Sequence, residues 1–267
     1  KNKEGRDWLR QIGLALLVDR QTRLPFFYRE YEGNRHDSKL FRSILDDVCE
    51  SMQGCGQKEV AIVFDKGMNS PDNFAVIDAR DGVHFITTYS PYFAEELIHV
   101  GRDQFKVVET RRNQELKAKG HEDDLLLAWR TSGEYWNAER TVVVTYNPLT
   151  ATKQRYAFEA KLQKLQAALY EMRAKVREEA RGWTQESKVR ERYAQICEDL
   201  HLPKDLYDLS FERKDGRITL GFRKNNYRIG RYINRFSKNI LITDLDDWST
   251  DANGQASLDR DLGGETF

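Results

Sequence analysis

Strands and helices alternate between residues 12 and 89, and this order constrains the fold more than any other feature of the chain. Four segments predict strands because their residues are continuously apolar or alternate in polarity: 12–18, 24–31, 60–64 and 83–89. An amphipathic helix with apolar residues at steps of three and four, from Phe41 to Val48, follows the second strand. A second helix begins at Ser70 or Pro71. The order predicts an α/β fold.

Asp65 directly follows the third of these strands. The strand, Val60–Phe64, is an unbroken apolar run, which is typical of a central strand covered on both faces. An aspartate placed there, before the glycine turn of VFDKGMNSPDN (63–73), directs a carboxylate into the crevice at the edge of the sheet. A cap on the turn before the Ser70 helix explains the same spacing, and both interpretations remain open.

A second polar motif, YEGNRHDS, covers residues 31–38. Gly33 and Asn34 both tolerate a positive φ and predict a turn. Asp37 then either caps the following helix or belongs to an acidic site, and capping alone accounts for it. The histidines are scattered with no pair three to five residues apart, which argues against a zinc site; they are His36, His84, His99, His121 and His201.

A long helical region dominates the second half of the chain. Apolar residues at heptad spacing form one seam, listed in order as Phe158, Leu162, Leu165, Leu169, Met172 and Val176. A second seam runs from Val189 to Leu200, and the two predict an antiparallel helical hairpin at about 152–200. Further strands are expected at 141–146, 218–222 and 239–243, and the acidic tail from Ser249 is expected to be frayed.

Charge is balanced in total but segregated along the chain. The 43 basic and 43 acidic side chains give a net charge of zero. Residues 211–238 hold nine basic and two acidic side chains, and residues 239–267 hold seven acidic side chains and one arginine. The basic segment either contacts a phosphate backbone or forms an ordinary solvated face, and the sequence leaves both open.

Composition also restricts the setting of the protein. The longest apolar run, 12–18, is far too short to span a bilayer, so we expect no membrane partner. The three cysteines, Cys49, Cys55 and Cys197, are odd in number and lack metal-ligand spacing. A reduced, cytoplasmic location is therefore expected.

Three blocks of sequence together resemble bacterial insertion-sequence transposases of the DDE type. These are residues 1–38, ending in YEGNRHDS, then VFDKGMNSPDN, and then RFSKNILITDLDDWSTD (235–251). The phrases YxGNxxDS and DKGxNSxxN at this spacing are specific. The nearest branch of these transposases has a long insertion before its last catalytic residue, and the resemblance runs from about residue 3 to residue 250.

The resemblance implies an α/β, RNase H-like core that is incomplete because its central first strand is missing. It also implies a large α+β insertion that contains the helical hairpin. We expect a partial core at 1–89, the insertion domain at 90–238, and a return strand with the frayed acidic tail at 239–267. The missing strand would pair with both 12–18 and 60–64, so the chain alone is expected to be marginally stable or prone to aggregation.

The resemblance further implies that two aspartates and one glutamate hold two divalent metal ions, Mg²⁺ or Mn²⁺. Asp65 matches the second aspartate and is the expected metal ligand. The matched motif residues that support it are Gly33, Asn34, Asp37, Lys66, Gly67, Asn69, Ser70 and Asn73. The implied partner is double-stranded DNA at insertion-sequence ends and target sites, with a homodimer left open. The DNA-binding candidates are Arg231, Arg235 and Lys238.

The chain departs from the family pattern at the other two carboxylates. The first aspartate falls before Lys1, and neither Asp7 nor Asp19 matches it. The final glutamate position aligns with Gly264, so Glu265 serves only if the register shifts by one residue. We therefore expect a transposase catalytic region that is truncated at both ends and inactive as it stands. The alternative is a non-catalytic DNA-binding or assembly module derived from a transposase.

Overall fold

The chain forms two compact units in a computed structural model, which describes residues 12–20, 22, 24–32, 37–54, 58–214 and 216–265. The first unit, called the sheet unit, comprises residues 1–147 and 238–267. The second, called the helical unit, comprises residues 148–237. None of the helices in the described residues combines the length and apolar character that a membrane span requires.

The sheet unit contains strands and helices in the order that the first 89 residues predict. Its strands are β1 (Ile12–Val18), β2 (Pro25–Glu32), β3 (Val60–Phe64), β4 (Val83–Tyr89), β5 (Lys106–Val107), β6 (Leu127–Tyr135), β7 (Ala138–Tyr146) and β10 (Lys238–Thr243). Its helices are α1 (Asp37–Gly54), α2 (Pro71–Asp78), α3 (Glu95–Ile98), α4 (Arg111–Ala118) and α8 (Thr250–Glu265). Strands β5, β6 and β7 lie in the stretch that the sequence assigned to the insertion.

Six of these strands form one mixed sheet in the order β3-β4-β10-β7-β6-β5. Strands β3 and β4 are parallel, and every other neighbouring pair is antiparallel. A parallel pair places the carboxyl ends of both strands at one edge of the sheet. The mixed α/β architecture fits an RNase H-like transposase.

Side chains alternate between the two faces of this sheet, as the period of a strand requires. One face carries Ile62, Phe64 and Phe85, which pack against Phe41 of α1 and Phe74 of α2. The indole of Trp136 stacks on the Phe74 ring with centroids 3.6 Å apart. This aromatic layer fixes β3 and β4 against the helices and so holds the strand end at Asp65 in place.

The opposite face is covered by α8, where the sequence predicts a frayed tail. Ala256 is 1% exposed and packs with Val143 and Leu241. Leu258 joins the same cluster as Val63 of β3. The segment has few apolar residues, but small side chains let the helix approach the sheet closely, and burial then stabilises it. Residues 250–265 are therefore helical rather than frayed.

Strands β1 and β2 form a separate two-stranded sheet. Leu17 and Phe27 pack on the main core, whereas Ile12 and Leu14 are exposed on the outer side. Within the described residues β1 pairs only with β2, and β3 pairs only with β4. These are the two edges between which the resemblance places a further strand; the predicted tendency to aggregate stays a prediction.

The helical unit has a hydrophobic core of its own. Its elements are α5 (Pro148–Arg177), α6 (Glu186–Asp199), β8 (Tyr207–Lys214), β9 (Arg217–Lys224) and α7 (Asn226–Ile233). Every residue of the first heptad seam, from Phe158 to Val176, is buried, and Val189 and Tyr193 of α6 join them. Strands β8 and β9 form an antiparallel hairpin. The antiparallel arrangement of the two helices remains a prediction.

Candidate active site

Asp65 lies at the end of β3, where a short 3₁₀ turn, Lys66–Met68, begins. Its backbone is extended, with φ −88° and ψ 160°, and its side chain is exposed. Its Oδ1 accepts a hydrogen bond from the Lys66 backbone N–H at 2.8 Å. Asp65 therefore caps the turn and at the same time presents its carboxylate to solvent, so the two interpretations of the sequence are compatible.

Thr88, near the end of β4, also binds this carboxylate. Its Oγ1 donates to Asp65 Oδ1 at 2.5 Å and accepts from the Lys66 N–H at 3.0 Å. The register of the parallel pair places Phe64 beside Thr87, so Asp65 and Thr88 are the next residues along. Thr88 is not among the residues predicted from the sequence. The sequence feature that indicates Thr88 is a polar residue at the end of the strand that follows Asp65 in the chain.

The rest of the DKGMNSPDN motif holds this turn in shape. Asn69 donates from Nδ2 to the Thr88 carbonyl at 2.9 Å and accepts at Oδ1 from Thr87 Oγ1 at 2.7 Å. Ser70 caps α2 by accepting from the Asn73 N–H at 3.2 Å. Asn73 is 4% exposed and donates from Nδ2 to the Met68 carbonyl at 2.8 Å. These polar side chains position the loop, while Lys66 and Gly67 are exposed within it.

Asp244, the first residue of the acidic stretch after β10, does not lie beside Asp65. Asp244 Oδ1 accepts from the Phe85 N–H at 2.8 Å, and its Oδ2 lies 3.0 Å from His84 Nδ1. Phe85 and Thr88 are three residues apart on β4, or about 10 Å along the strand. Asp244 thus stabilises the opposite end of β4 from Asp65.

Several predicted residues fall at or beyond the limits of the described structure. Gly33 and Asn34 lie outside the described residues. Asp37 is the first residue of α1 and Glu265 is the last of α8, and nothing is described of either side chain. The expected contributions of these residues stay predictions.

The DNA-binding candidates divide between the two units. In the helical unit, Arg231 donates to Tyr227 Oη at 2.9 Å, and Arg235 follows the end of α7. In the sheet unit, the Lys238 ammonium donates to the Ile98 carbonyl. Burial, and then the charge of Arg102, lower the pKa of Lys238. Lys238 is half-buried, so its charge faces the protein more than solvent.

A family model for the transposase DDE domain matches residues 1–210 of the chain. The chain belongs to this family. No curated protein and no solved structure matches the chain. The match includes β3, Asp65 and the whole DKGMNSPDN motif, together with α5 and α6.

Transposases of the DDE family act on DNA and generally use divalent metal ions. Two such ions need several carboxylate ligands in one place. Among the residues that the structure describes, no group of three or more histidine, cysteine, aspartate or glutamate side chains could hold a metal ion. Asp65 is accompanied by a threonine hydroxyl and a backbone amide. The exposed carboxylate of Asp65 would serve as one ligand of such an ion, and the described residues do not supply a complete ligand set for two.

Proposed function

We propose that this chain is the catalytic region of a DNA transposase, with Asp65 as a catalytic carboxylate. The reaction class is cleavage and joining of DNA strands at insertion-sequence ends, with Mg²⁺ or Mn²⁺ as the cofactor. One observation supports this proposal most strongly: Asp65 is exposed, yet Thr88 and the Lys66 N–H fix it at the end of a core strand. A carboxylate held in this way is preorganised for an electrostatic role.

We also propose that this chain by itself does not cleave DNA. Phosphoryl transfer depends on several charged groups acting together, and the described residues contain no group of three or more histidine, cysteine, aspartate or glutamate side chains that could hold a metal ion. Removal of single members of such a site typically abolishes most of the acceleration.

Nicking of supercoiled plasmid in Mg²⁺ or Mn²⁺ tests this proposal. We expect wild-type protein and Asp65→Asn to give the same background. Asp81→Asn is the matched control, because Asp81 is an exposed aspartate in the turn before β4, at the other end of the strand from Thr88. If wild type and Asp81→Asn nick the plasmid and Asp65→Asn does not, the chain is an active enzyme. This result would contradict the proposed inactivity and support the role of Asp65.

Charge distribution favours the alternative, a DNA-binding or assembly module without catalysis. The helical unit, residues 148–237, holds 20 basic and 12 acidic side chains, a net charge of +8. The sheet unit therefore carries −8, since the whole chain sums to zero. A unit with this excess of cations suits contact with a phosphate backbone.

A salt series tests this alternative. If the helical unit neutralises phosphates, the logarithm of the full chain's DNA association constant falls linearly with the logarithm of salt concentration, with a slope of about −0.9 for each contact. Arg231→Gln and Arg235→Gln are each expected to reduce the slope by about one. Affinity that is independent of salt would rule out backbone binding.

A further inference from the structure

Tyr92 and Phe93 are neighbouring aromatic residues on the surface of the sheet unit. Their side chains are 73% and 78% exposed. They occupy a 3₁₀ turn, Pro91–Phe93, that follows directly after β4. An aromatic side chain outside the core leaves a large apolar area exposed to water. Neither residue belongs to the described hydrophobic core, and both rings lie largely at the surface.

The turn holds both rings in position. Ser90 caps it: its Oγ accepts from the Tyr92 N–H at 3.4 Å, and its carbonyl accepts from the Phe93 N–H at 3.1 Å. The residues on either side are fixed, since Tyr89 ends β4 and Ala94 is fully buried. The Phe93 ring lies 6.4 Å from the Tyr89 ring. The backbone of the turn that carries the pair is therefore held by local hydrogen bonds.

The pair lies at the same edge of the sheet as Asp65. Thr88 contacts Asp65, and Phe93 is five residues further along. A chain of five residues spans at most about 18 Å, and a 3₁₀ turn shortens this distance. Successive bases of a DNA strand rise by about 3.4 Å, so a base a few nucleotides from a phosphate at Asp65 reaches the pair.

The charges nearby identify the part of DNA that would bind. Glu95 and Glu96 follow the pair, and Lys66 lies at the end of β3. The two glutamates disfavour contact between the aromatic pair itself and the phosphate backbone. The flat faces of aromatic rings instead suit stacking with nucleobases, which is tolerant of sequence and requires that the bases be unpaired.

We propose that Tyr92 and Phe93 form a stacking platform for unpaired bases of the DNA strand beside Asp65. This inference rests on the proposed function, because it assumes that DNA approaches Asp65. It adds a preference for DNA that is single-stranded or frayed next to the cleavage position. Stacking on one ring contributes about tenfold in affinity.

Binding of two DNA probes by the full chain tests the platform. One probe is a blunt duplex, and the other is the same duplex with a 3′ single-stranded overhang that contains 2-aminopurine, whose fluorescence is quenched by stacking. Wild-type protein is expected to prefer the overhang by about tenfold and to quench it. Phe93→Leu, which keeps an apolar side chain without a ring, is expected to lose most of this preference, whereas Phe93→Trp retains it.

Tyr28→Leu is the matched control, because Tyr28 is 71% exposed and lies on β2. It is expected to leave both affinities unchanged, and the thermal midpoints of all variants should agree with wild type. An overhang preference that survives Phe93→Leu would overturn the platform while leaving the DNA-binding function intact. Absence of binding to either probe would overturn both. Self-association lost in Phe93→Leu, without a change in DNA binding, would assign the pair to a protein interface.

Discussion

Thr88 Oγ1 donates a hydrogen bond to Asp65 Oδ1 at 2.5 Å and so joins the ends of two parallel strands. The same oxygen accepts from the Lys66 N–H, which also binds Asp65. The hydroxyl therefore fixes both the carboxylate and the turn that follows it. Asn69 and Asn73 of the same motif bind the Thr88 and Met68 carbonyls and support the same loop.

Thr88→Val removes this hydroxyl and keeps the shape of the side chain. We expect the free energy of unfolding to fall by about 1–3 kcal/mol, since a hydrogen bond to a charged group is lost and the Lys66 N–H loses an acceptor. Urea denaturation measures the change. Thr88→Ser, which retains the hydroxyl, should recover most of it; equal losses in both variants would show that packing, not the hydrogen bond, matters.

Arg140 makes the most buried ion pair among the described residues of the sheet unit. Its side chain is 6% exposed and donates to both carboxylate oxygens of Asp78, at 2.6 and 2.8 Å. Arg140→Met should lower the free energy of unfolding by about 2–3 kcal/mol, less than for a fully buried pair because Asp78 is 35% exposed. Arg155→Met breaks the exposed pair with Glu159 and should cost about 0.5 kcal/mol or less. Similar losses would contradict the assigned role of burial.

Buried tyrosines make the helical unit sensitive to alkali. Burial raises the pKa of Tyr193, whose hydroxyl donates to the Lys204 carbonyl at 3.0 Å, and it also raises the pKa of Tyr207. The folded state therefore keeps protons that the unfolded state releases above pH 10.0. Stability is complete below that pH and falls above it, by about 1.4 kcal/mol per pH unit for Tyr193, and Tyr207 adds to the fall in the same direction.

Tyr193→Phe separates this effect from general alkaline unfolding. At pH 7 the free energy of unfolding of the variant should be about 1 kcal/mol lower, because the variant lacks the hydroxyl that binds the Lys204 carbonyl. Above pH 10 its free energy of unfolding should fall less steeply with pH than that of wild type. Denaturation followed by circular dichroism between pH 7 and pH 11 measures both. An unchanged slope would mean that Tyr193 ionises as readily in the folded state.

The sequence predicted those features that depend on local pattern. An unbroken apolar run followed by an aspartate located β3 and Asp65, because a buried strand leaves a strong continuous signal. The start of α2 at Ser70 or Pro71 was predicted because the residues that begin a helix act on that helix alone. Thr88 was missed, since its role depends on the register between two strands that are separated by α2.

Strand β6 and helix α8 were missed for the same reason. Strand β6 has mixed polarity, and its stability comes from pairing with β7 along its whole length. Helix α8 has few apolar residues. Its start is held by tertiary contacts: Asp251 accepts from the Glu109 N–H, and Gln255 accepts from the Arg111 N–H. Such long-range partners cannot be read from local composition.

The central claim is that DNA phosphate approaches Asp65, and DNA affinity with and without divalent metal ions tests it directly. Without Mg²⁺ the Asp65 charge should repel the phosphate, so Asp65→Asn is predicted to bind DNA about fivefold more tightly than wild type. With Mg²⁺ this advantage should disappear, while Asp81→Asn behaves as wild type in both conditions. Equal affinities of Asp65→Asn, Asp81→Asn and wild type, whether or not Mg²⁺ is present, would contradict the claim.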